Sequence, residues 1–205
     1  MANAQKSVLY GVIAALAAVL GVVVAVTVFQ PKGTAELQSG TLLPQPRALP
    51  AFTLKDQDGQ PFTAASLAGS WTLLFPGFTY CPDVCPTTLA LLKQVKAGLG
   101  PDHPLRVVFL SIDPERDTPE RMKSYLGQFD PAFVGVTVGE PQLADITRSL
   151  GIAYAKVPGA TPESYQMDHS ASMILLNPQG NITAYLTPPF DPARLVADLK
   201  PLVAR

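Results

Sequence analysis

Two stretches of this chain are almost continuously apolar and carry β-branched or aromatic residues: Trp71 to Phe75 (WTLLF) and Leu105 to Ile112 (LRVVFLSI). Such runs mark strands buried on both faces, which requires helices covering both sides of a sheet. Between them, Thr87 to Gly98 lead to Leu99 with Leu89, Leu92, Val95 and Leu99 at helical spacing, so the pattern predicts a βαβ unit. Asp117-Thr118-Pro119-Glu120 is a helix-start signal, with Asp117 or Thr118 as the cap, for a helix reaching about Phe129. Phe133 to Val138 reads as a further strand, and Leu143, Ile146 and Leu150 share one face of a helix that Gly151 stops. Ser172 to Leu176 and Ile182 to Leu186 flank the turn-rich Asn177-Pro178-Gln179-Gly180-Asn181 and read as a hairpin, after which Asp191 and Pro192 open a last helix to about Val203. Parallel strands with crossover helices, then a hairpin and a terminal helix, follow the order of a thioredoxin-like α/β domain, expected over residues 51–205.

Ahead of that domain, Val8 to Phe29 form an uncharged apolar run of 22 residues. As a helix it is long enough to cross a hydrocarbon core of roughly 30 Å. It exceeds the 7–15 residues or so of a secretory signal's apolar region, and no convincing Ala-x-Ala cleavage site follows before Gln30. Residues 1–30 are therefore expected to be a membrane anchor with one N-terminal transmembrane helix. Lys6 precedes the run and Lys32 and Glu36 follow it, a weak preference for a cytoplasmic N-terminus and an external domain. Residues 31–50 contain Pro31, Pro44, Pro46 and Pro50 without periodicity and read as a linker, able to span roughly 25 Å as a flexible chain.

The whole chain balances 15 Lys and Arg against 16 Asp and Glu, which argues against nucleic acid as a partner. Its two cysteines are too few for a disulfide-built scaffold. Both lie in Phe78-Thr79-Tyr80-Cys81-Pro82-Asp83-Val84-Cys85-Pro86, between a buried strand and a helix, where side chains emerge at one end of the sheet. Pro86 fits the first helical turn, so Cys85 is expected near unpaired N–H groups that favour a thiolate. A Cys-x-x-x-C pair can bind a metal or close a disulfide. A purely stabilising bridge is the weaker option, because so short a loop gains little from closure.

The two histidines differ in context. His103 stands in the turn Gly100-Pro101-Asp102-His103-Pro104 and reads as a solvated loop residue. His169 precedes the strand at Met173 to Leu176, whose entrance lies beside the cysteine loop in a thioredoxin-like order, and is the natural third ligand. Two thiolates and an imidazole form a soft site suited to Cu(I), and to Cu(II) if a further ligand joins; structural zinc normally takes four protein ligands. Asp168, Asp83 and Tyr80 are candidates for supporting contacts, though each also fits an ordinary loop residue.

Three blocks in order, Gly77-Phe78-Thr79-Tyr80-Cys81-Pro82-Asp83-Val84-Cys85-Pro86, Ser111-Ile112-Asp113-Pro114-Glu115-Arg116-Asp117-Thr118-Pro119 and Asp168-His169-Ser170, resemble the Sco/SenC family of copper proteins serving cytochrome c oxidase assembly. The resemblance covers roughly Leu49 to the C-terminus. It implies copper on Cys81, Cys85 and His169, and an exported domain on one helix of the inner (cytoplasmic) membrane, facing the periplasm. It further implies delivery to the dinuclear copper centre of oxidase subunit II, a copper donor protein upstream, and room for reduction of that subunit's cysteines. Pro76 departs from the family pattern, which more often has an aromatic residue there; the lost backbone donor predicts altered pairing at the strand end. A thiol-disulfide oxidoreductase is the competing reading, since fold and dithiol both support exchange. Against it, Asp168-His169-Ser170 stands where a thioredoxin-type enzyme has a cis-proline, and the Thr-x-x-Cys pattern of a peroxidase is not met. A bare interaction domain would leave the cysteines and histidine unexplained. Lys156 to Gln166 (KVPGATPESYQ) is expected to be a mobile loop.

Overall fold

The computed structural model describes residues 11, 13, 15–22, 37–161 and 164–203. They fall into two units, Met1–Glu36 and Leu37–Arg205. In the first, the described residues between 11 and 22 are helical, with Ile13, Leu16, Val19, Leu20 and Val22 exposed. Among the described residues no helix is long and apolar enough to cross a membrane. The remainder of the Val8 to Phe29 run expected as an anchor lies outside them.

The second unit is built on an eight-stranded sheet ordered β1-β10-β9-β4-β5-β6-β2-β3. Its strands are β1 (Gly40–Arg47), β2 (Thr53–Asp56), β3 (Pro61–Thr63), β4 (Trp71–Gly77), β5 (Leu105–Ser111), β6 (Val134–Thr137), β9 (Met173–Leu176) and β10 (Ile182–Leu186). A separate hairpin joins β7 (Tyr154–Val157) to β8 (Gln166–His169). The helices are α1 (Ala64–Leu67), α2 (Val84–Leu99), α3 (Pro119–Gly127), α4 (Gln142–Leu150) and α5 (Pro192–Leu199). β4, β5 and β6 pair in parallel, while β9 lies antiparallel to β4 and β10. This is the thioredoxin-like arrangement that the element order predicts.

Strand alternation divides the core. Leu73, Phe75, Val107 and Phe109 point to one face, where Leu89, Leu92 and Val95 of α2, Met122 and Leu126 of α3, and Leu195 and Leu199 of α5 cover them. Leu74, Val108 and Leu110 point to the other, under Leu143, Ile146 and Leu150 of α4. Both faces are closed, as the apolar runs require. Thr118 caps α3 by accepting the Arg121 N–H, and Gly151 ends α4 at a φ of 74°.

The linker expected over residues 31–50 is corrected in its second half, because Gly40–Arg47 form the edge strand β1 along β10. Pro44 and Pro46 sit where the register with β10 breaks, and an edge strand tolerates the missing donors. At Gly40 a Cβ would collide with the Tyr185 carbonyl, so only glycine allows this approach. Just before β1, the buried Asp198 carboxylate of α5 accepts the N–H groups of Gln38 (3.0 Å) and Ser39 (2.8 Å). The stretch expected as a loop at 156–166 is corrected at both ends, since Lys156 belongs to β7 and Gln166 to β8.

Replacing Asp198 with Ala removes both acceptors at the entry to β1. The expected loss is about 2 kcal/mol of folding stability, read as a lower urea midpoint with an unchanged slope.

Candidate metal centre

β4 and β5 run side by side with Gly77 opposite Ser111, and each then releases a loop at the same end of the sheet. The Ile112 N–H donates to the Gly77 carbonyl (3.0 Å), so Gly77 and its alternate neighbours face β5 and Pro76 faces the β9 side. Pairing of β4 with β9 already ends at Leu74. The altered pairing expected from Pro76 does not arise along β5, because the missing N–H belongs to the other side.

The loop after β4 carries the cysteines. Both thiols are free; Cys85, in the first turn of α2, is fully buried, while Cys81 is partly exposed. The Cys85 N–H points at the Cys81 sulfur at 3.4 Å, so the helix start brings the two sulfurs into one place. Gly77 makes room for them, since a Cβ there would meet the Phe109 ring at 2.7 Å and the Cys85 sulfur at 3.1 Å. The expectation that the helix N-terminus favours a Cys85 thiolate is overturned. Burial pushes this thiol well up, more than the Phe78 N–H lowers it, and the nearby Cys81 adds to the rise.

His169 ends β8, with its ring edge-on to Phe78 at 6.3 Å between centroids. Its Nδ1–H donates to the Ser170 carbonyl at 2.9 Å, which places the lone pair of the neutral ring on Nε2. The structure thus pairs the sulfurs and sets the histidine against the same loop, but it does not bring all three to ligand spacing. Among the described residues no group of three or more His, Cys, Asp or Glu side chains stands close enough to hold a metal ion. His103 lies before β5, at the opposite end of a strand roughly 20 Å long, and takes no part.

The residues that hold the loop are not those singled out for support. Asp83 and Asp168 are exposed, and Asp83 makes no capping bond. Tyr80 is 44% exposed between the guanidinium groups of Arg121 (3.8 Å) and Arg116 (4.6 Å). Asp117, read from sequence as a possible helix cap, does the holding. Its buried carboxylate accepts the Thr79 N–H (3.1 Å), the Thr79 hydroxyl (2.6 Å) and the Ser111 hydroxyl (2.7 Å). Asp113 pairs with Arg116 and accepts the Tyr165 hydroxyl at 2.7 Å, while Arg116 also donates to the Tyr165 carbonyl at 3.0 Å. The turn from Ser111 to Asp117 therefore grips both the cysteine loop and the chain entering β8. The ordered Ser-Ile-Asp-Pro-Glu-Arg-Asp block was the available signal, but sequence order alone could not aim its carboxylates.

Burial raises the Asp117 carboxyl above its ordinary 3.8, against the lowering effect of its hydrogen bonds from Thr79 and Ser111. A raised carboxyl favours the protonated folded state. Its contribution is full below the unfolded value and is lost as pH rises through the folded one. The stability of the native sequence relative to Asp117→Asn should therefore decrease as pH rises from about 3.5 toward neutrality, followed by urea midpoints. A difference that grows with pH would mean that the hydrogen bonds outweigh burial.

The SCO1/SenC family matches residues 41–204. The mitochondrial SCO2 homologue of Mus musculus is 41% identical over 137 residues, 65% of this chain and 54% of that protein, so the chain spans about half the length of this relative. Copper-bound ScoI of Bradyrhizobium japonicum is 38% identical with a TM-score of 0.68, covering 75% of this chain and 98% of that one. Copper-bound ScoI of Arabidopsis thaliana is 31% identical with a TM-score of 0.71, covering 75% and 96%. With the cysteine loop, the Ser111–Asp117 turn and His169 all inside the matched region, this chain belongs to the SCO1/SenC family.

Proposed function

We propose that this chain is a membrane-tethered copper-binding protein that hands copper to the dinuclear copper centre of cytochrome c oxidase subunit II, with Cys81, Cys85 and His169 as its ligands. The observation that carries the reading is the donor set: two adjacent free thiols, and a histidine whose Nδ1–H is engaged and whose Nε2 is therefore the free lone pair. Two thiolates and an imidazole suit Cu(I), and a further ligand would accommodate Cu(II). The copper-bound state of relatives 31% and 38% identical supports copper over another soft metal.

Loading requires both thiols to lose their protons and His169 to turn from Phe78 toward the sulfurs. Because burial raises the Cys85 thiol, uptake weakens as pH falls. Cys81 is the partly exposed sulfur and is where an incoming partner thiolate can displace a ligand. The same exchange chemistry accounts for receipt of copper from a donor protein. Residues Val8 to Phe29 supply the anchor in the inner (cytoplasmic) membrane, with the domain on the periplasmic face, which keeps it near a membrane-bound acceptor.

One observation favours thiol-disulfide exchange as a companion activity. A partly exposed cysteine beside a buried one on a thioredoxin-like fold is suited to attack by Cys81 on a partner disulfide and resolution by Cys85. Both activities use the same thiols, so copper and exchange compete.

Copper titration of the reduced protein should give one ion per chain, with Cys81→Ala, Cys85→Ala and His169→Ala each weakening it at least ten-fold or so and His103→Ala unchanged. Equal losses at His103 and His169 would sink the ligand assignment. Protease protection in sealed spheroplasts and inverted vesicles tests the topology: residues from about Lys32 onward should be cut only from the periplasmic side, and cleavage from the cytoplasmic side would refute it.

A further inference from the structure

Among the described residues of the second unit, three large apolar side chains are exposed: Tyr80 at 44%, Val84 at 59% and Val157 at 46%. Single apolar residues scattered over a surface are ordinary, but these are not scattered. Tyr80 immediately precedes Cys81 and Val84 opens α2 three residues after it, so the partly exposed cysteine stands between two uncovered apolar side chains within five residues of chain. Val157 belongs to β7, in the hairpin that carries His169.

A charge beside this patch is uncovered as well. Arg121 of α3 is exposed, yet its guanidinium is held: Nε donates to the Thr79 hydroxyl at 2.6 Å, and the group sits 3.8 Å from the centre of the Tyr80 ring. Among the described residues no carboxylate comes within ion-pair distance of it, and its two Nη groups make no hydrogen bond. The acids of the neighbouring turn are already taken, Asp113 by Arg116 and Glu115 by Lys156. An arginine fixed at one end with its other N–H groups open loses little entropy on engaging a partner, and its planar fork matches a carboxylate. Asp83, on the Val84 side of Cys81, is exposed and has no ion pair among the described residues. The face thus carries a cation at one end and an anion nearer the other, which fixes which way round a partner lies.

We propose that Tyr80, Val84 and Arg121 form a docking surface around Cys81 for a protein partner that presents a carboxylate to Arg121 and an apolar side chain to Val84, on either side of its own thiol. The proposal rests on the copper-transfer reading above and adds how the acceptor is held before any ligand is exchanged. Tyr and Arg are the residue types that dominate protein contacts, and a small face with one anchored charge suits a partner that must leave again. A lipid surface is a poor match, because anionic headgroups are held by clusters of four to eight or so Lys and Arg rather than by one.

The test uses the copper-loaded full chain in detergent micelles, with the metal-free, reduced copper-centre domain of oxidase subunit II as acceptor. Transfer rate is followed against acceptor concentration for the native chain, Val84→Ser, Arg121→Gln and Arg121→Lys, with release to dithiothreitol measured alongside. Glutamine keeps an N–H for the Thr79 hydroxyl while removing the charge. Val84→Ser and Arg121→Gln should each raise the half-saturating acceptor concentration about ten-fold, with the maximum transfer rate and release to dithiothreitol unchanged, because a small thiol needs no docking surface. Arg121→Lys should recover only part of the loss, and added salt should weaken the native chain more than Arg121→Gln. Equal half-saturation in native and variants would overturn the proposal. So would a defect that release to dithiothreitol shares, which would lie in the cysteine loop itself, or a native dimer in sedimentation that Val84→Ser abolishes, which would make a second copy the occupant. If the native chain releases copper to dithiothreitol but never to the domain, the proposed function fails and this inference with it; if the native chain transfers and the variants match it, this inference alone fails.

Discussion

Asp117 lies where two adjacent parallel strands both give way to loops. Asp117 is 1% exposed and among the described residues no cation pairs with it, yet its carboxylate holds the backbone and hydroxyl of Thr79 and the hydroxyl of Ser111. Burying such a group is costly unless hydrogen bonds surround it, and here they come from two elements at once. The loop after β4 is therefore not free to choose its path. Thr79 is pinned two residues before Cys81 and α2 starts at Val84, so Cys81 lies in the short stretch between them and Cys85 in the first turn of the helix. Arg121 closes the outside of this arrangement by donating to the Thr79 hydroxyl at 2.6 Å while stacking on Tyr80.

The same turn governs the histidine by a different route. Asp113 and Arg116 take hold of Tyr165, one residue before β8 begins, and Lys156 of β7 lies over the Tyr165 ring at 3.9 Å while pairing with Glu115. Cysteine loop and histidine hairpin thus hang from seven consecutive residues, Ser111 to Asp117. They are not held equally. The cysteine side is tied by buried hydrogen bonds and core packing, whereas β7 and β8 form their own two-stranded sheet with mostly exposed side chains. Elements with few buried contacts open at lower free energy than the core. The cysteines are accordingly on the firmly held side and His169 on the more easily opened one, a division that suits the proposed ligand set if it is to close on a metal and later release it.

How far the sequence went depended on burial. β4, β5, β9 and β10 are near-continuous buried runs and α2, α3 and α4 bury apolar residues at a period near 3.6, so each is legible within a few residues. Residues 51–70 hold no apolar run like those of β4 and β5, so β2 and β3 are marked there only by the Asp58-Gly59 hairpin signal between Thr53–Asp56 and Pro61–Thr63, with Gly59 at a φ of 76°. β1 was hidden by its prolines, which argue against a strand anywhere except an edge. β7 and β8 were hidden because Tyr-Ala-Lys-Val and Gln-Met-Asp-His show no apolar alternation to read. At the candidate site, Cys81, Cys85 and His169 are singled out by residue type, as the proposed ligands. Their supports are not, because a carboxylate that reaches 38 positions back along the chain, from Asp117 to Thr79, leaves no local pattern.

Burial also decides the state of the Cys85 thiol. Cys85 was expected to gain thiolate character from the start of α2, and the helix terminus is indeed there, but a sulfur with no exposed surface loses more from leaving water than those N–H groups return. A raised thiol favours the protonated form, which is a poorer nucleophile than a thiolate and slower to oxidise. A soft cation on the proposed ligands would offset that cost by supplying the positive charge that burial makes scarce. On this reasoning the depth of Cys85 and the exposure of Cys81 are complementary. In the proposed role the buried sulfur resists oxidation and the partly exposed cysteine gives a partner its point of entry.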